Sequence, residues 1–154
     1  MKFNKLGLVG ALCAASLLGN TSALAADTAN VAVSATVVGT CKFTSGGSAA
    51  FVLDPSIGGN VSGTVTQPVF WCTKGATYSI TDNDGANKSG VIQRMKHSAL
   101  AEYIPYSFTY TAAGAGTGPA TPITMDIASS VVASDYLNAS AGSYADTVIL
   151  SITP

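Results

Sequence analysis

Tyr144-Ala145-Asp146-Thr147-Val148-Ile149-Leu150-Ser151-Ile152-Thr153 puts Tyr144, Val148, Leu150 and Ile152 on one side of an extended chain. Side chains alternate across a strand with a period of two, so this stretch reads as a strand with one apolar face. Asp146 falls on the same face near its start and interrupts it, which predicts a place at the rim. Pro154 follows, and the sequence stops there. A sandwich that ends on such a strand is expected to leave an edge unpaired and an apolar groove open. Long apolar edges invite pairing with another chain.

The same short period recurs upstream. From Ala29 to Val37 the odd positions are Ala29, Val31, Val33, Ala35 and Val37, while Asn30, Ser34 and Thr36 face the other way. Phe51-Val52-Leu53 is a short strand ended by Asp54-Pro55, and Gly63 to Trp71 is a run leading into Cys72. Further runs lie at Tyr78 to Thr81, Val91 to Met95 and Ile123 to Ile127. Ile104, Tyr106, Phe108 and Tyr110 share one face of a strong strand, with Pro105 inside it marking an edge or a bulge. Ser45 to Ser48 and Asp82 to Gly90 read as turns. Ala112 to Pro122, rich in Gly, Ala and Pro, reads as a mobile loop. With no sustained helical period, roughly seven or eight short strands predict an all-β sandwich or barrel. Two readings of the N-terminal strand stand side by side: it pairs within its own domain, or it fills the groove of a neighbour.

Lys2 and Lys5 precede an apolar run, Leu6 to Leu18, that is too short to span a bilayer. Ala23-Leu24-Ala25 then supplies small residues where a signal peptidase reads. The order basic flank, apolar run, small-residue site predicts a secretory signal peptide over residues 1–25, rather than a buried N-terminal helix. The chain then divides into an N-terminal strand, residues 26–37, and one domain, residues 38–154. Formal net charge is −1 at pH 7 and becomes more negative without Lys2 and Lys5. A mildly acidic chain with scattered charges offers no electrostatic footprint for nucleic acid or an anionic membrane. Cys13 is lost with the leader, which leaves Cys41 and Cys72. An even pair in an oxidising compartment reads as one disulfide, closing a loop of about 32 residues and worth ~3–4 kcal/mol. A metal site would need further Cys or His ligands, and His97 is the sole histidine.

Catalytic signatures are missing from the sequence. It has no Gly-x-Ser-x-Gly elbow, no Gly-rich phosphate loop before a helix and no His-Glu-x-x-His. His97, without an obvious carboxylate partner, is read as an exposed loop histidine rather than a general base. Asp82 and Asp84 could form half of a paired-carboxylate site, but Asp is an ordinary turn residue. Asp82-Asn83-Asp84-Gly85-Ala86-Asn87 resembles the start of a calcium loop yet lacks Gly at its sixth position and Glu at its twelfth. The expectation is no catalytic, cofactor-binding or metal residue, and no enzyme.

Three stretches resemble the spore coat protein U domain family, which includes the pilins of archaic chaperone–usher pili. They are Ala35-Thr36-Val37-Val38-Gly39-Thr40-Cys41, then Phe70-Trp71-Cys72-Thr73-Lys74-Gly75-Ala76-Thr77-Tyr78-Ser79-Ile80, and the run from Ala141 to Ile152. Where family members carry Leu-x-Phe-Gly after the first cysteine, this chain reads Phe51-Val52-Leu53-Asp54. The resemblance implies an all-β, incomplete immunoglobulin-like β-sandwich lacking its last strand and completed by donor-strand exchange. It implies a periplasmic chaperone, an outer-membrane usher and neighbouring copies or sister pilins as partners, and export through the periplasm to a pilus on the cell surface, with roles in adhesion and biofilm. Val31, Val33, Ala35 and Val37 would be the donor residues. Ile104, Tyr106, Phe108, Val148, Leu150 and Ile152 would line the acceptor groove. The rival expectation is a stand-alone secreted β-sandwich binding module, for example a carbohydrate-binding one.

Overall fold

The computed structural model describes residues 26–154, so the leader expected over residues 1–25 lies outside the described residues. Two units divide the chain, residues 1–35 and 36–154. In the described part of the first, residues 26–35, no helix or strand forms and every residue is exposed. The alternating strand expected from Ala29 to Val37 is therefore not a strand here. Val31 is 83% and Val33 91% exposed, and Val37, in the second unit, is 82% exposed. Strand N–H and C=O groups need a ladder, and none of the described residues supplies one to this segment.

In the second unit the described residues form short strands in the order β1 (Cys41–Ser45), β2 (Ser48–Ala50), β3 (Val61–Ser62), β4 (Thr64–Thr66), β5 (Val69–Cys72), β6 (Thr77–Asp82) and β7 (Arg94–His97). These are followed by β8 (Tyr103–Pro105), β9 (Ser107–Thr109), β10 (Ala113–Ala115), β11 (Ile123–Thr124) and β12 (Ala128–Val131). A single helical turn, α1 (Ala133–Tyr136), precedes β13 (Tyr144–Ala145) and β14 (Leu150–Thr153). The fold is all-β, an open sandwich of antiparallel ladders in the orders β1-β5-β11, β10-β6-β14, β3-β12-β9, β13-β7-β8 and β2-β4.

Three strands expected to be continuous are each divided, two of them at a proline and one at Asp146. Pro68, which has no N–H, separates β4 from β5, and the Gln67 side chain replaces the lost pairing. Its Nε2–H donates to the Ile127 carbonyl, and its Oε1 accepts the Ile127 N–H, both at 2.8 Å. Pro105 ends β8, so Ile104 is laddered to Met95 of β7 whereas Phe108 of β9 is laddered to Ser129 of β12. Asp146 ends β13, which pairs with β7, and β14 resumes four residues on against β6, with Ile152 opposite Ile80. The long strands therefore switch partners halfway along. Such switches are how sheets of a sandwich share a strand.

Smaller departures have local causes. The strand expected at Phe51-Val52-Leu53 falls at Ser48–Ala50, where Ala49 pairs with Val65. Strand β7 starts later than the expected Val91, because Ser89 and Ile92 close a tight turn first. Ala112 to Pro122, expected as a mobile loop, contains β10 paired with β6. Its glycines serve close packing: a Cβ on Gly114 would strike the Tyr78 ring, and one on Gly116 would strike the Cys72 and Thr73 carbonyls.

Cys41 and Cys72 are directly opposite in the β1–β5 ladder and are joined by a disulfide, with Cα atoms 4.1 Å apart. The apolar interior falls into two clusters. One gathers Phe70, Cys72, Ile80, Met125 and Ile127, with Phe43, Val65, Phe108, Leu150 and Ile152 packed against it. The other gathers Ile104, Val131 and Tyr136, with Phe51, Met95, Tyr106 and Tyr144 against it. Tyr136 is buried whole because its Oη–H donates to the Gly59 carbonyl at 2.8 Å.

Candidate functional site

Strands β1 and β14 are both outermost in their ladders, and so are β2 and β13. One side of each therefore offers unpaired backbone groups among the described residues. Beside these free edges lie three clefts that share lining residues and form a groove whose lining mixes apolar side chains with polar groups in similar measure. The middle cleft, about 440 Å³, is walled by Gly47, Ala49 and Phe51 on one side and by Val148 and Leu150 on the other, with Tyr106, Phe108 and Ile127 on its floor. A cleft of about 470 Å³ continues it past Pro68 to Phe43 and shares Gly47, Val148 and Leu150. On the other side a cleft of about 680 Å³ shares Phe51, Met95 and Tyr144 and reaches Leu53, Ile104 and Tyr136. The clefts stop at Leu150: Ile152 and Pro154 line none of them, and Gly39 lies beside Pro154.

Tyr106, Phe108, Val148 and Leu150 of the expected acceptor residues meet around the middle cleft. Ile104 is 2% exposed and reaches only the neighbouring cleft. Ile152 packs on the first core cluster and lines none of these clefts. The wall from Gly47 to Phe51 was not foreseen, because Ser and Gly residues there read as a turn. The alternation of Ala49, Phe51 and Leu53 was the signal that could have found it. Of the expected donor residues, Val31, Val33 and Val37 stand almost fully in solvent.

One polar cluster interrupts the groove. Asn87 donates its backbone N–H and its Nδ2–H to Asp146 Oδ1, both at 3.0 Å. Tyr106 Oη–H donates to Asp146 Oδ2 at 2.7 Å. Burial, and then the Asp146 carboxylate, push the Tyr106 phenol above the usual tyrosine range, so it stays a donor at neutral pH. Tyr110 makes the same contact with Asp82 Oδ2 at 2.8 Å, and its phenol is pushed up to about 12 by burial and by that carboxylate. At the far end Glu102 accepts the Tyr144 hydroxyl at 2.8 Å, the Ser140 N–H at 3.1 Å and the Ser140 hydroxyl at 2.9 Å. Those bonds, the Tyr144 one first, hold its carboxyl below the usual range.

His97 corrects the expectation of an exposed loop residue. It ends β7, is 7% exposed and packs edge-on to Tyr144. Its Nδ1 accepts the Ala99 and Leu100 N–H groups at 3.0 Å, so the neutral ring carries its proton on Nε2, which faces the Ala141 carbonyl. Both nitrogens are thereby used in holding a turn. Asp82 to Gly90 is the turn expected: Asp82 Oδ1 accepts the Asp84 N–H, and Asp84 and Gly85 have φ of 55° and 86°. Among the described residues no three His, Cys, Asp or Glu side chains gather as a metal ion would require.

An all-β domain stapled by one disulfide and left with a groove beside its free edges is what the geometry defines. The chain belongs to the Spore Coat Protein U domain family, whose pattern matches residues 27–151. No curated protein matches it. Among solved structures it is similar to a chain of the CsuC–CsuE chaperone–tip adhesion subunit pre-assembly complex from archaic chaperone–usher Csu pili of Acinetobacter baumannii. That similarity is 18% identity at a TM-score of 0.45, over 76% of this chain and 40% of the other.

Proposed function

We propose that this protein is a structural subunit of a chaperone–usher surface pilus and polymerises by donor-strand exchange. Residues 1–25 direct export and are removed, and residues 26–37 are the donor strand. The domain from residue 38 onward receives the donor of the next copy or of a sister pilin. A periplasmic chaperone holds the groove first, an outer-membrane usher catalyses the exchange, and the fibre serves adhesion and biofilm formation at the cell surface. No nucleic acid, cofactor or catalysis enters the reading.

The observation that carries it is a groove beside unpaired edges in a chain whose own N-terminal segment alternates apolar and polar residues in solvent. An added strand would satisfy the open edges by main-chain bonds, while Val31, Val33, Ala35 and Val37 entered the groove. The chain enters its domain at Gly39, beside Pro154 and beyond the Leu150 end of the groove. The segment thus leaves one subunit at the end opposite to the open stretch near Tyr144. That arrangement favours a head-to-tail contact that does not close on itself, the condition for a filament.

Deletion of residues 26–37 tests it. The shortened chain should still be exported and co-purify with its chaperone, because its groove is intact, but electron microscopy should find no fibres of it alone. A deletion chain that forms normal fibres, or a full chain that is a stable monomer at high concentration without any partner, would support the stand-alone binding module instead.

A further inference from the structure

Resting on the donor-strand reading, the groove also dictates which donor residue lies where. Tyr144, Asp146, Val148, Leu150 and Ile152 are partly buried while Ala145, Thr147, Ile149 and Ser151 are exposed, and the inward face borders the middle cleft from Tyr144 to Leu150. Asp146 is the charged member of that face. Its three hydrogen bonds to Asn87 and Tyr106 fix its position, and Gly85 packs so tightly on it that a Cβ there would collide with Oδ2. A carboxylate has about four lone-pair sites, so one is left for water.

Direction follows from the Leu150 end. The clefts end at Leu150, and beyond Ile152 the receiving subunit's own chain passes Pro154 at Gly39. The donating subunit's domain must therefore sit at the Tyr144 end, with its Val37 nearest. The donor then runs antiparallel to β13 and β14. Directly opposite residues in an antiparallel pair share a face, and a slip of one residue would turn Asn30, Ser34 and Thr36 inward.

We infer that Asp146 sets the register of the inserted strand and selects Ala35 as the residue opposite it. This places Val37 against Tyr144, Val33 against Val148 and Val31 against Leu150. Ala35 is the smallest of the four donor side chains, so it crowds the hydrogen-bonded Asp146 carboxylate least. Slipping two residues one way sets Val37 over the carboxylate and drives Val31 towards Ile152, beyond the end of the clefts. Slipping two the other way sets Val33 over it and carries Val37 past Tyr144 to Gly142, which offers no side chain.

Paired cysteines in the full chain read the register. Val33→Cys with Val148→Cys should yield a ladder of reductant-sensitive covalent multimers from fibres. Val31→Cys with Val148→Cys, and Val33→Cys with Leu150→Cys, should give little, because a two-residue slip moves the partners ~6.6 Å along the strand. Should the double variants fail to assemble, a synthetic peptide of residues 27–38 can be added to full-length Val148→Cys. The peptide with cysteine at 33 should crosslink about tenfold faster than those with cysteine at 31 or 35, given the narrow Cα separation a disulfide accepts. Fastest crosslinking by another pair overturns the register and leaves donor-strand exchange standing. No crosslink from any pair or peptide, with residues 26–37 still protease-sensitive in fibres, overturns both.

Discussion

If residues 26–37 are the proposed donor strand, a single charge on them should separate assembly from folding. Val33 is 91% exposed in the free chain, so nearly its whole side chain changes environment if it enters a neighbour's groove. Burying a valine contributes about 1.5–3 kcal/mol. Val33→Asp forfeits that and places a carboxylate in an apolar pocket without a partner, which costs several kcal/mol more. A loss of about 5 kcal/mol per junction is a factor of more than ~10³ in the exchange equilibrium. Asn30→Asp and Ser34→Asp add the same charge on the other face, in solvent, and should cost almost nothing. The variant should still co-purify with its chaperone, since its own groove is untouched, yet form no fibres alone. Expressed with the wild type, it can accept a donor but cannot provide one, so fibres shorten and the variant sits at one end. Fibre length by electron microscopy is the readout, with chaperone co-purification as the folding control. Normal fibres from Val33→Asp alone, or equal damage from Asn30→Asp, would refute the assignment of this face.

The domain itself offers further checks. Cys72 is fully buried opposite Cys41, so Cys72→Ser should cost about 2–5 kcal/mol and lower the yield of exported subunit, while mass spectrometry of the unreduced wild type should show the linked peptide. Phe70 is 1% exposed and edge-on to Phe43 and Tyr78, so Phe70→Ala should cost about 3–5 kcal/mol in denaturant unfolding of the donor-complemented subunit. Glu102 has its folded-state carboxyl below the ordinary value of 4.5, so its latch on Ser140 and Tyr144 is complete above that pH. It is lost as pH falls through the lowered value. Protection of the Ser140 amide, its exchange rate taken relative to the intrinsic rate at each pH, should fall there, and Glu102→Gln should flatten that dependence.

Alternation found most of the strands, because period two is a local property, but Ala29 to Val37 alternates too and forms none, since no ladder reaches it. The breaks were half readable. Pro105 and Asp146 stand out in their runs, and each does end a strand, but nothing local says that Tyr103–Pro105 joins β7 while Ser107–Thr109 joins β12. That choice belongs to partners far away in sequence. The disulfide was legible because two cysteines leave one pairing. His97 was misread because its burial depends on a turn, Ala99 and Leu100, whose N–H groups find the ring only once the chain folds back. The segment Ala112 to Pro122 was misread for a related reason. Small residues describe both a loop with nothing to pack and a strand pressed against Tyr78 and Cys72, and only the neighbour distinguishes them.

The groove and the divided core have one origin. A domain of this size usually has one contiguous apolar core, yet here Val65, Phe108 and Leu150 belong to one cluster and Phe51, Met95 and Tyr144 to another. All six line the middle cleft. The space between the clusters is the groove, so an apolar strand laid in it would touch both and join them. A sugar would not find what it needs there. Carbohydrate recognition relies on convergent hydrogen-bonding groups free to meet hydroxyls. The inner polar groups of this cleft are already engaged, Tyr106 and Asp146 with each other and Ser129 Oγ–H with the Ser107 carbonyl at 2.6 Å, which leaves the Ser48 and Thr147 hydroxyls. What the groove leaves unmet is apolar surface and strand edge. On the donor-strand proposal, a strand of alternating valines such as Val31 to Val37 would supply both at once, and the exposed segment and the groove would be two halves of one interface.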